Sequence, residues 1–339
     1  MMAELASEGI VPQSAGTTNK ENSVTLDRDT KIIQDLEMTT GVRFSDEQRN
    51  ILLHHGNACI LACAGSGKTS ICVNLIAKRI MSGEILDTKK LIYTTYSKAG
   101  AVEMKDRLDK LLKQLGINKE VQVRTLHSFF LQVLRIFGVS NNIIDEKTRS
   151  QFVREACKEA EFTIKDDDLM VVDNLLSYQV NYLLSDKKTI DACVNTLEDL
   201  TLDQYTKIRM GYATRKAKKN LIDYDDMQSM LYLWLVKWSK STNPQEVELC
   251  NGVRNYCQAM YTDFFIDEAQ DVSKIQFAII RAIVTDPNDK NKLIRNLVFI
   301  GDDDQCIYTW RGSDPSIILS IGPMFNMQTF VLSTNYRCK

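Results

Sequence analysis

The hydrophobic positions near the start of the chain fall into short apolar runs, each followed by a polar stretch with helical spacing. Ala58–Ala62 is one such run and ends in a glycine-rich turn, which is typical of a buried parallel strand that leads into a helix. That helix is predicted over residues 68–82. A second strand is predicted over 90–95 and a second helix over 101–115. The alternation of strand and helix predicts an α/β fold with a parallel sheet.

The middle of the chain has a different pattern. Residues 129–218 contain hardly any glycine or proline, and their apolar positions recur every three or four residues. This spacing predicts helices throughout, and therefore an all-helical subdomain inserted into the α/β domain. Apolar runs typical of strands resume at Asp263–Ile266, 296–300 and 329–332, and the first two end in acidic clusters. Because ligands of open α/β sheets bind at the carboxyl ends of strands, these acids lie where a substrate would bind.

The same patterns predict the domain boundaries. Residues 1–30 lack periodicity and cannot bury enough apolar surface to offset the entropy of ordering, so they are predicted to form a disordered tail. The α/β domain is predicted in two parts, over 31–128 and 219–332, with the helical insertion 129–218 between them.

Composition excludes several classes of protein. The 339 residues carry 42 basic and 44 acidic side chains, a net charge of −2, so any affinity for nucleic acid must come from a local surface. Nine cysteines without a C-x-x-C pair or zinc spacing favour a reduced, intracellular protein. No apolar stretch approaches the roughly 18 residues of a membrane span, and residues 1–22 lack the features of a signal peptide. We therefore predict a cytoplasmic or nuclear protein that is neither secreted nor membrane-bound.

The turn after the first strand carries the strongest chemical signal. Its residues are Ala62, Cys63, Ala64, Gly65, Ser66, Gly67, Lys68 and Thr69. They fit a phosphate-binding loop except at the first position, where the general pattern has glycine. Successive backbone N–H groups can surround a phosphate at a helix N-terminus, Lys68 can bridge two phosphates, and the Thr69 hydroxyl can bind Mg²⁺. The alternative is a glycine turn that only caps a helix.

Two adjacent carboxylates, Asp267 and Glu268, follow the apolar run Asp263–Ile266. Asp267 is suited to hold Mg²⁺ through its water shell, and Glu268 is suited to act as general base for an attacking water. Acidic pairs at strand ends are also common solvated caps. The presence of a phosphate-binding loop in the same chain favours the catalytic interpretation.

The segment 296–312 combines a strand, three acids, a glutamine and two aromatic residues, Tyr308 and Trp310. Exposed aromatic rings near a cation are suited to stacking on unpaired bases, which they do without sequence preference. The alternative places Trp310 in the hydrophobic core.

The order of these motifs resembles the UvrD/Rep group of superfamily 1 DNA helicases. The matching motifs, in order, are SDEQR, ACAGSGKT, TTYSKAGAVEM, TLHS, DEAQD, GDDDQCIYTWRG and NYR. The resemblance covers residues 44–337 and implies a RecA-like P-loop NTPase domain with a helical insertion. It also implies an ATP-dependent DNA helicase with 3′ to 5′ polarity, in repair, recombination or replication.

For the nucleotide site, the resemblance implies that Lys68, Thr69, Asp267 and Glu268 bind ATP with Mg²⁺ and hydrolyse the ATP. The further ATP contacts that it implies are the loop 62–70, Gln48 at the adenine edge, Gln305 as γ-phosphate sensor, Tyr336 stacked on adenine and Arg337 as arginine finger. Ser70 departs from the family pattern, which usually has an arginine at that position.

For single-stranded DNA, the resemblance implies contacts from Tyr96, Thr125, His127, Ser128 and Trp310, and Tyr308 is predicted to join them as an exposed aromatic residue of the same segment as Trp310. Lys98 departs from the pattern, because it stands where an asparagine is usual. His127 by itself would more often be a structural histidine. The basic run 215–219 has two interpretations, a contact to phosphates or a solvated helix face.

Residues 333–339 would, by this resemblance, begin a second RecA-like domain. A motor of this type opens and closes a cleft between two such domains. One hypothesis is that a separate chain supplies the second domain. The other is a degenerate helicase that acts as an ATP-gated single-strand DNA-binding or assembly subunit without unwinding. RNA is the weaker candidate as nucleic acid, since stacking residues do not distinguish the sugars.

Overall fold

A computed structural model of the chain describes residues 17–163, 166–193, 197 and 199–336. The strands in this part are β1 Ala58–Ala62, β2 Leu91–Thr95, β3 Gln122–Thr125, β4 Asn142–Ile143, β5 Leu221–Ile222, β6 Asp263–Ile266, β7 Thr285–Asp286, β8 Asp289–Leu293, β9 Asn296–Gly301 and β10 Gln328–Leu332. The predicted strands lie within one residue of those observed. The edge strand β3 and the short pairs β4–β5 and β7–β8 are not predicted by the sequence pattern.

The main sheet has six strands in the order β10-β1-β9-β6-β2-β3, and all of its pairings are parallel. The predicted α/β fold with a parallel sheet is therefore confirmed. The strand order places β9 between β1 and β6. Because parallel strands end at the same edge, the loops after these three strands meet there.

Helices cover both faces of the sheet and form the insertion. They are α1 Thr17–Thr40, α2 Asp46–Leu53, α3 Lys68–Met81, α4 Lys98–Gln114, α5 Leu126–Ile136, α6 Glu146–Glu159, α7 Asp166–Tyr182, α8 Asp186–Cys193, α9 Leu202–Lys218, α10 Tyr224–Tyr232, α11 Pro244–Met260, α12 Lys274–Val284 and α13 Ser316–Phe325.

The central strands are buried on both faces, which explains their continuous apolar runs. Along β6, Phe264 packs into the core with α5 and α12, whereas Phe265 packs on the opposite face with α3. Phe299 and Ile300 of β9 alternate in the same way. Neighbouring side chains of a strand point to opposite faces, so one short apolar run contributes to two cores.

The helical insertion has its own core, formed by α6 to α9 with Phe152, Val153, Tyr205 and Ile208 at less than 5% exposure. The strands β4 and β5, which flank these helices in the chain, pair in parallel with each other. The predicted boundary at residue 129 needs correction, because Phe129 and Phe130 of α5 pack in the core of the main sheet. Helical spacing cannot show which of two cores a helix faces.

The predicted disordered tail over residues 1–30 also needs correction. Helix α1 begins at Thr17 and runs to Thr40. Its residues Ile33 and Leu36 are 1% and 0% exposed in the core beside α3, and Asp29 pairs with His55 at 2.5 Å. Residues 1–16 lie outside the described part. Tertiary packing therefore orders a segment whose own sequence is polar.

No helix within the described ranges is long and apolar enough to cross a membrane. The seven cysteines whose side chains the structure describes are free thiols, and five of them are buried.

Candidate functional site

The loop after β1 is shaped as an anion cradle. Gly65 and Gly67 take positive φ angles of 74° and 83°, which glycine adopts at no steric cost. Helix α3 begins at Lys68, and no side chain caps its N-terminus. Its first N–H groups therefore point into the loop, where an anion is favoured. The hydroxyl of Ser66 is buried and has no hydrogen-bond partner among the described residues.

Lys68 meets the acids that follow β6. Its ammonium pairs with the Glu268 carboxylate. Burial would lower the pKa of Lys68, but the carboxylates of Asp267 and Glu268 outweigh it and raise that pKa. Burial raises the pKa of Asp267, an effect that Lys68 only partly offsets. Asp267 also accepts a hydrogen bond from the Tyr93 hydroxyl at 2.6 Å. The buried negative charge is thus incompletely balanced, as expected of a site built for a further cation.

The backbone of Glu268 is in the left-handed region, with φ 50° and ψ 45°. This conformation is uncommon for a residue with a Cβ and is often found at functional sites. It accompanies a carboxylate that contacts Lys68 and accepts a hydrogen bond from the Gln270 amide at 2.8 Å.

Gln270 joins the acids to the loop after β9. Its side-chain oxygen accepts from the Asp302 N–H at 3.0 Å, while its amide donates to Glu268. Gly301 makes room for this side chain. A Cβ at Gly301 would lie 2.8 Å from Ile318 Cδ1, 3.0 Å from the Ala269 nitrogen and closer still to Gln270 Oε1.

A cavity of about 290 Å³ connects the acids with two tyrosines. Its lining includes Thr69, Asp267 and Glu268 together with Tyr96 and Tyr308. Tyr96 and Tyr308 stack with ring centroids 4.7 Å apart and planes 17° from parallel.

Trp310 continues this aromatic surface. Its ring lies 6.4 Å from that of Tyr308, at an interplanar angle of 54°, and the residue is 49% exposed. The core placement considered for Trp310 is therefore wrong.

A model of the UvrD/REP helicase N-terminal domain matches residues 44–326 of this chain. This range includes the phosphate loop and the acids as well as the aromatic residues Tyr96, Tyr308 and Trp310. The chain belongs to the UvrD/REP helicase family.

Three relatives show how far the likeness extends. A probable DNA helicase II homolog of Mycoplasma capricolum is 29% identical over 82% of this chain and 36% of its own length. The ATP-dependent DNA helicase Rep of Buchnera aphidicola is 27% identical, over 86% of this chain and 42% of its own length. The ATP-dependent DNA helicase PcrA of Leuconostoc citreum is 25% identical, over 83% and 35%. The chain therefore spans about two-fifths of the length of these relatives.

Of the other predicted nucleotide contacts in this UvrD/REP domain, Gln48 and Tyr336 hydrogen-bond to the loop, whereas Gln305 bonds to the segment after β9. The Gln48 amide is 7% exposed and donates to the Ser66 carbonyl at 3.3 Å. The Gln305 amide donates to the Asp302 carboxylate. Tyr336 is 55% exposed, and its N–H donates to the Gly65 carbonyl at 2.9 Å. Arg337 lies outside the described residues.

The predicted segment 125–128 lies at the start of α5. Thr125 caps this helix and accepts from the Ser128 N–H at 3.2 Å. The His127 ring is 4.9 Å from that of Tyr224, whereas Ser128 is exposed.

Two side chains of the basic run at the end of α9 form ion pairs with acids of the same chain. Arg215 pairs with Glu155 at 3.1 Å, and Lys216 is buried and bound to Asp223 at 2.7 Å. These two side chains stabilise the insertion, so the interpretation of the whole run as a phosphate-binding surface does not fit them.

Sequence reasoning missed three polar residues of the site: Tyr93, Gln270 and Asp271. Gln270 and Asp271 stand in the same motif as the predicted acids, which was a usable signal. Tyr93 looks like an ordinary strand residue, and only the pairing of β2 with β6 brings it to Asp267.

Proposed function

We propose that this chain is the ATP-hydrolysing, single-stranded-DNA-binding first motor domain of a DNA helicase with 3′ to 5′ polarity. The observation that carries the proposal is a single cavity whose lining includes both the acids Asp267 and Glu268 and the stacked tyrosines Tyr96 and Tyr308. Groups suited to phosphate chemistry and rings suited to base stacking therefore border the same cavity. DNA is proposed rather than RNA because the relatives are named DNA helicases.

The nucleotide part of the proposal rests on the loop geometry. The N–H groups from Gly65 to Thr69 would cradle the phosphates, and Lys68 would exchange its contact with Glu268 for phosphate oxygens. Thr69 and Asp267 would hold Mg²⁺, which when bound offsets charge on the phosphate oxygens. Thr69 and Asp267 line the same cavity and offer a hydroxyl and a carboxylate oxygen, which are ligands that Mg²⁺ prefers. Glu268 would then accept a proton from the attacking water at its carboxylate.

The DNA part rests on the aromatic residues. Tyr96, Tyr308 and Trp310 present ring faces beside the cavity, and base stacking on such faces is insensitive to sequence. This fits a protein that must move along any strand. The net charge of −2 gives the chain no global attraction to DNA, so stacking would carry a large share of the affinity.

DNA-stimulated ATP hydrolysis by Glu268→Gln tests the nucleotide part. We expect the variant to keep ATP binding while turnover falls by about 10² or more, because the amide cannot take the proton. Glu103→Gln is the matched control, since Glu103 lines the same cavity but pairs with Arg107 on the surface. Equal turnover in Glu268→Gln and the unmodified chain would exclude Glu268 as the base. Binding of ATP and DNA without turnover in the unmodified chain would favour the binding-subunit hypothesis.

Oligonucleotide affinity of Trp310→Ala tests the DNA part. Loss of one stack should weaken binding by about 1 to 3 kcal/mol, with little change in melting temperature because the ring is half exposed. Ile307→Ala is the control, since Ile307 immediately precedes Tyr308 and is 67% exposed but has no aromatic face. Equal losses in both variants would mean that apolar contact, and not stacking, holds the strand.

A further inference from the structure

The helical insertion touches the turn that carries Trp310. Helix α7 ends at Tyr182, whose hydroxyl donates a hydrogen bond to the Ser313 carbonyl at 3.0 Å. Gly312 closes the turn with a φ of 105°, and its N–H donates to the Thr309 carbonyl at 3.0 Å. The end of one insertion helix therefore lies directly against the aromatic turn of the main domain.

Gly312 lies so close to α7 that no side chain fits between them. A Cβ at this position would lie 3.5 Å from Asn181 Cα, 3.2 Å from its Cγ and closer still to its Cβ. Asn181 cannot easily give way. Its amide donates to the Ser177 carbonyl at 2.9 Å, and its oxygen accepts from Gln228 at 2.8 Å. Gln228 is itself only 1% exposed on α10, so the contact has little freedom.

The other side of the turn is tied to the acidic loop. The Ser313 hydroxyl donates to the Asp271 carbonyl at 3.0 Å, and the Ser313 N–H donates to the Tyr308 carbonyl at 3.2 Å. Lys274 lies 4.9 Å from the centre of the Tyr182 ring. The turn is thus clamped between α7 and the loop after β6, while the ring of Trp310 remains 49% exposed.

We propose that Asn181 and Tyr182 are positioning residues for Trp310. Through them the helical insertion sets the place of the aromatic turn relative to the cavity, so a movement of the insertion would move the stacking surface. This inference rests on the proposed function, because the place of Trp310 affects DNA binding only if Trp310 stacks on single-stranded DNA.

The first test observes Trp310 directly by ¹⁹F NMR of the full chain labelled with 5-fluorotryptophan. The chain has three tryptophans, and Trp310→Phe assigns the signal of interest. We expect Gly312→Ala and Tyr182→Phe each to shift the Trp310 signal. Adding Asn181→Gly to Gly312→Ala should move the signal back, because it removes the obstructing Cβ. An unmoved Trp310 signal in both single variants overturns the proposal.

Gly138→Ala is the matched control for backbone strain. Gly138 has a φ of 90°, but a Cβ there would meet nothing within 4 Å. Gly138→Ala should leave the Trp310 signal unchanged. A shift as large as that in Gly312→Ala would overturn the argument that a clash with Asn181 moves Trp310. Tyr182→Phe keeps the ring and loses one hydroxyl, so it provides the test if Gly312→Ala does not fold.

The second test measures affinity for a fluorescent oligo-dT strand. Gly312→Ala should weaken binding by about ten-fold, the size of one lost stack, and should have no further effect in a Trp310→Ala background. Additive losses of affinity in the double variant would show that the contact acts on DNA binding through residues other than Trp310, and would overturn the proposal. If Trp310→Ala alone leaves DNA affinity unchanged, the proposed DNA role of Trp310 fails, and the NMR result still decides whether α7 positions the turn.

Discussion

Asp271 should make the domain less stable as the pH rises. Burial raises the pKa of its carboxyl from 3.8 to about 7, with the charge of Glu268 adding to the effect. Between these values the folded chain keeps a proton that the unfolded chain has released, so the free energy of unfolding falls as the pH increases through this window. The Oδ1 atom of Asp271 is buried and has no hydrogen-bond partner among the described residues. The ionised form is therefore poorly compensated.

The size of the effect follows from the shift. A difference of about three pKa units corresponds to about 4 kcal/mol. Asp271 is only partly buried, and solvent screening reduces this value to about 1–2 kcal/mol. We expect Asp271→Asn to be more stable than the unmodified chain by that amount at pH 8 and equally stable at pH 4. Urea unfolding at several pH values, without nucleotide or Mg²⁺, measures the difference.

Asp145→Asn is the control for this experiment. Hydrogen bonds from Thr148 lower the pKa of Asp145, an exposed residue that caps α6. This variant should gain no stability at pH 8. Our reasoning about Asp271 would be refuted if Asp271→Asn differed from the unmodified chain by a constant amount at every pH. It would be equally refuted if the variant were the less stable protein at pH 8.

Two further substitutions test the packing around the site and at the N-terminus. Gly301→Ala should displace Gln270 and leave the Asp302 N–H without its partner, at a cost of about 1–3 kcal/mol in urea unfolding. Gly252→Ala, whose Cβ would meet only an ordinary contact at 3.5 Å, should cost nothing. Leu36→Ala should cost about 2–5 kcal/mol because the side chain is fully buried in α1. Met38→Ala, 75% exposed on the same helix, should stay within about 0.5 kcal/mol, and equal melting of the two would contradict the docking of α1.

The sequence predicted the main sheet well because its signals are local. A run such as Ala58–Ala62 is apolar at every position, and the glycine turn and helix follow within a few residues. The same local signal failed for α1, whose first half is polar. That helix depends on Leu36 in a core shared with α3 and on the hydrogen bond between Asp29 and His55. Residues distant in sequence supply both contacts, and periodicity cannot detect them.

The predicted boundary of the insertion at residue 129 is wrong for a related reason. The spacing of Phe129 and Phe130 predicts a helix, and α5 is a helix. The spacing does not say which surface covers its apolar face. In the structure this face packs with Tyr261 and Phe264 of the main domain, so the insertion begins later than the change in sequence pattern.

The site itself shows where motif reasoning stops. Motifs name Lys68 and Glu268, which are 200 residues apart in the chain, but strand order decides which other loops lie beside this pair. Since β9 lies between β1 and β6, the loop with Asp302 and Gln305 leaves the sheet beside the phosphate loop and the acids and contacts Gln270. The same loop continues within five residues to Trp310. A shift of Gln305 on nucleotide binding would therefore be carried along a short, clamped stretch of chain to the aromatic turn, and this shared segment is the physical reason that we expect the two activities to be coupled.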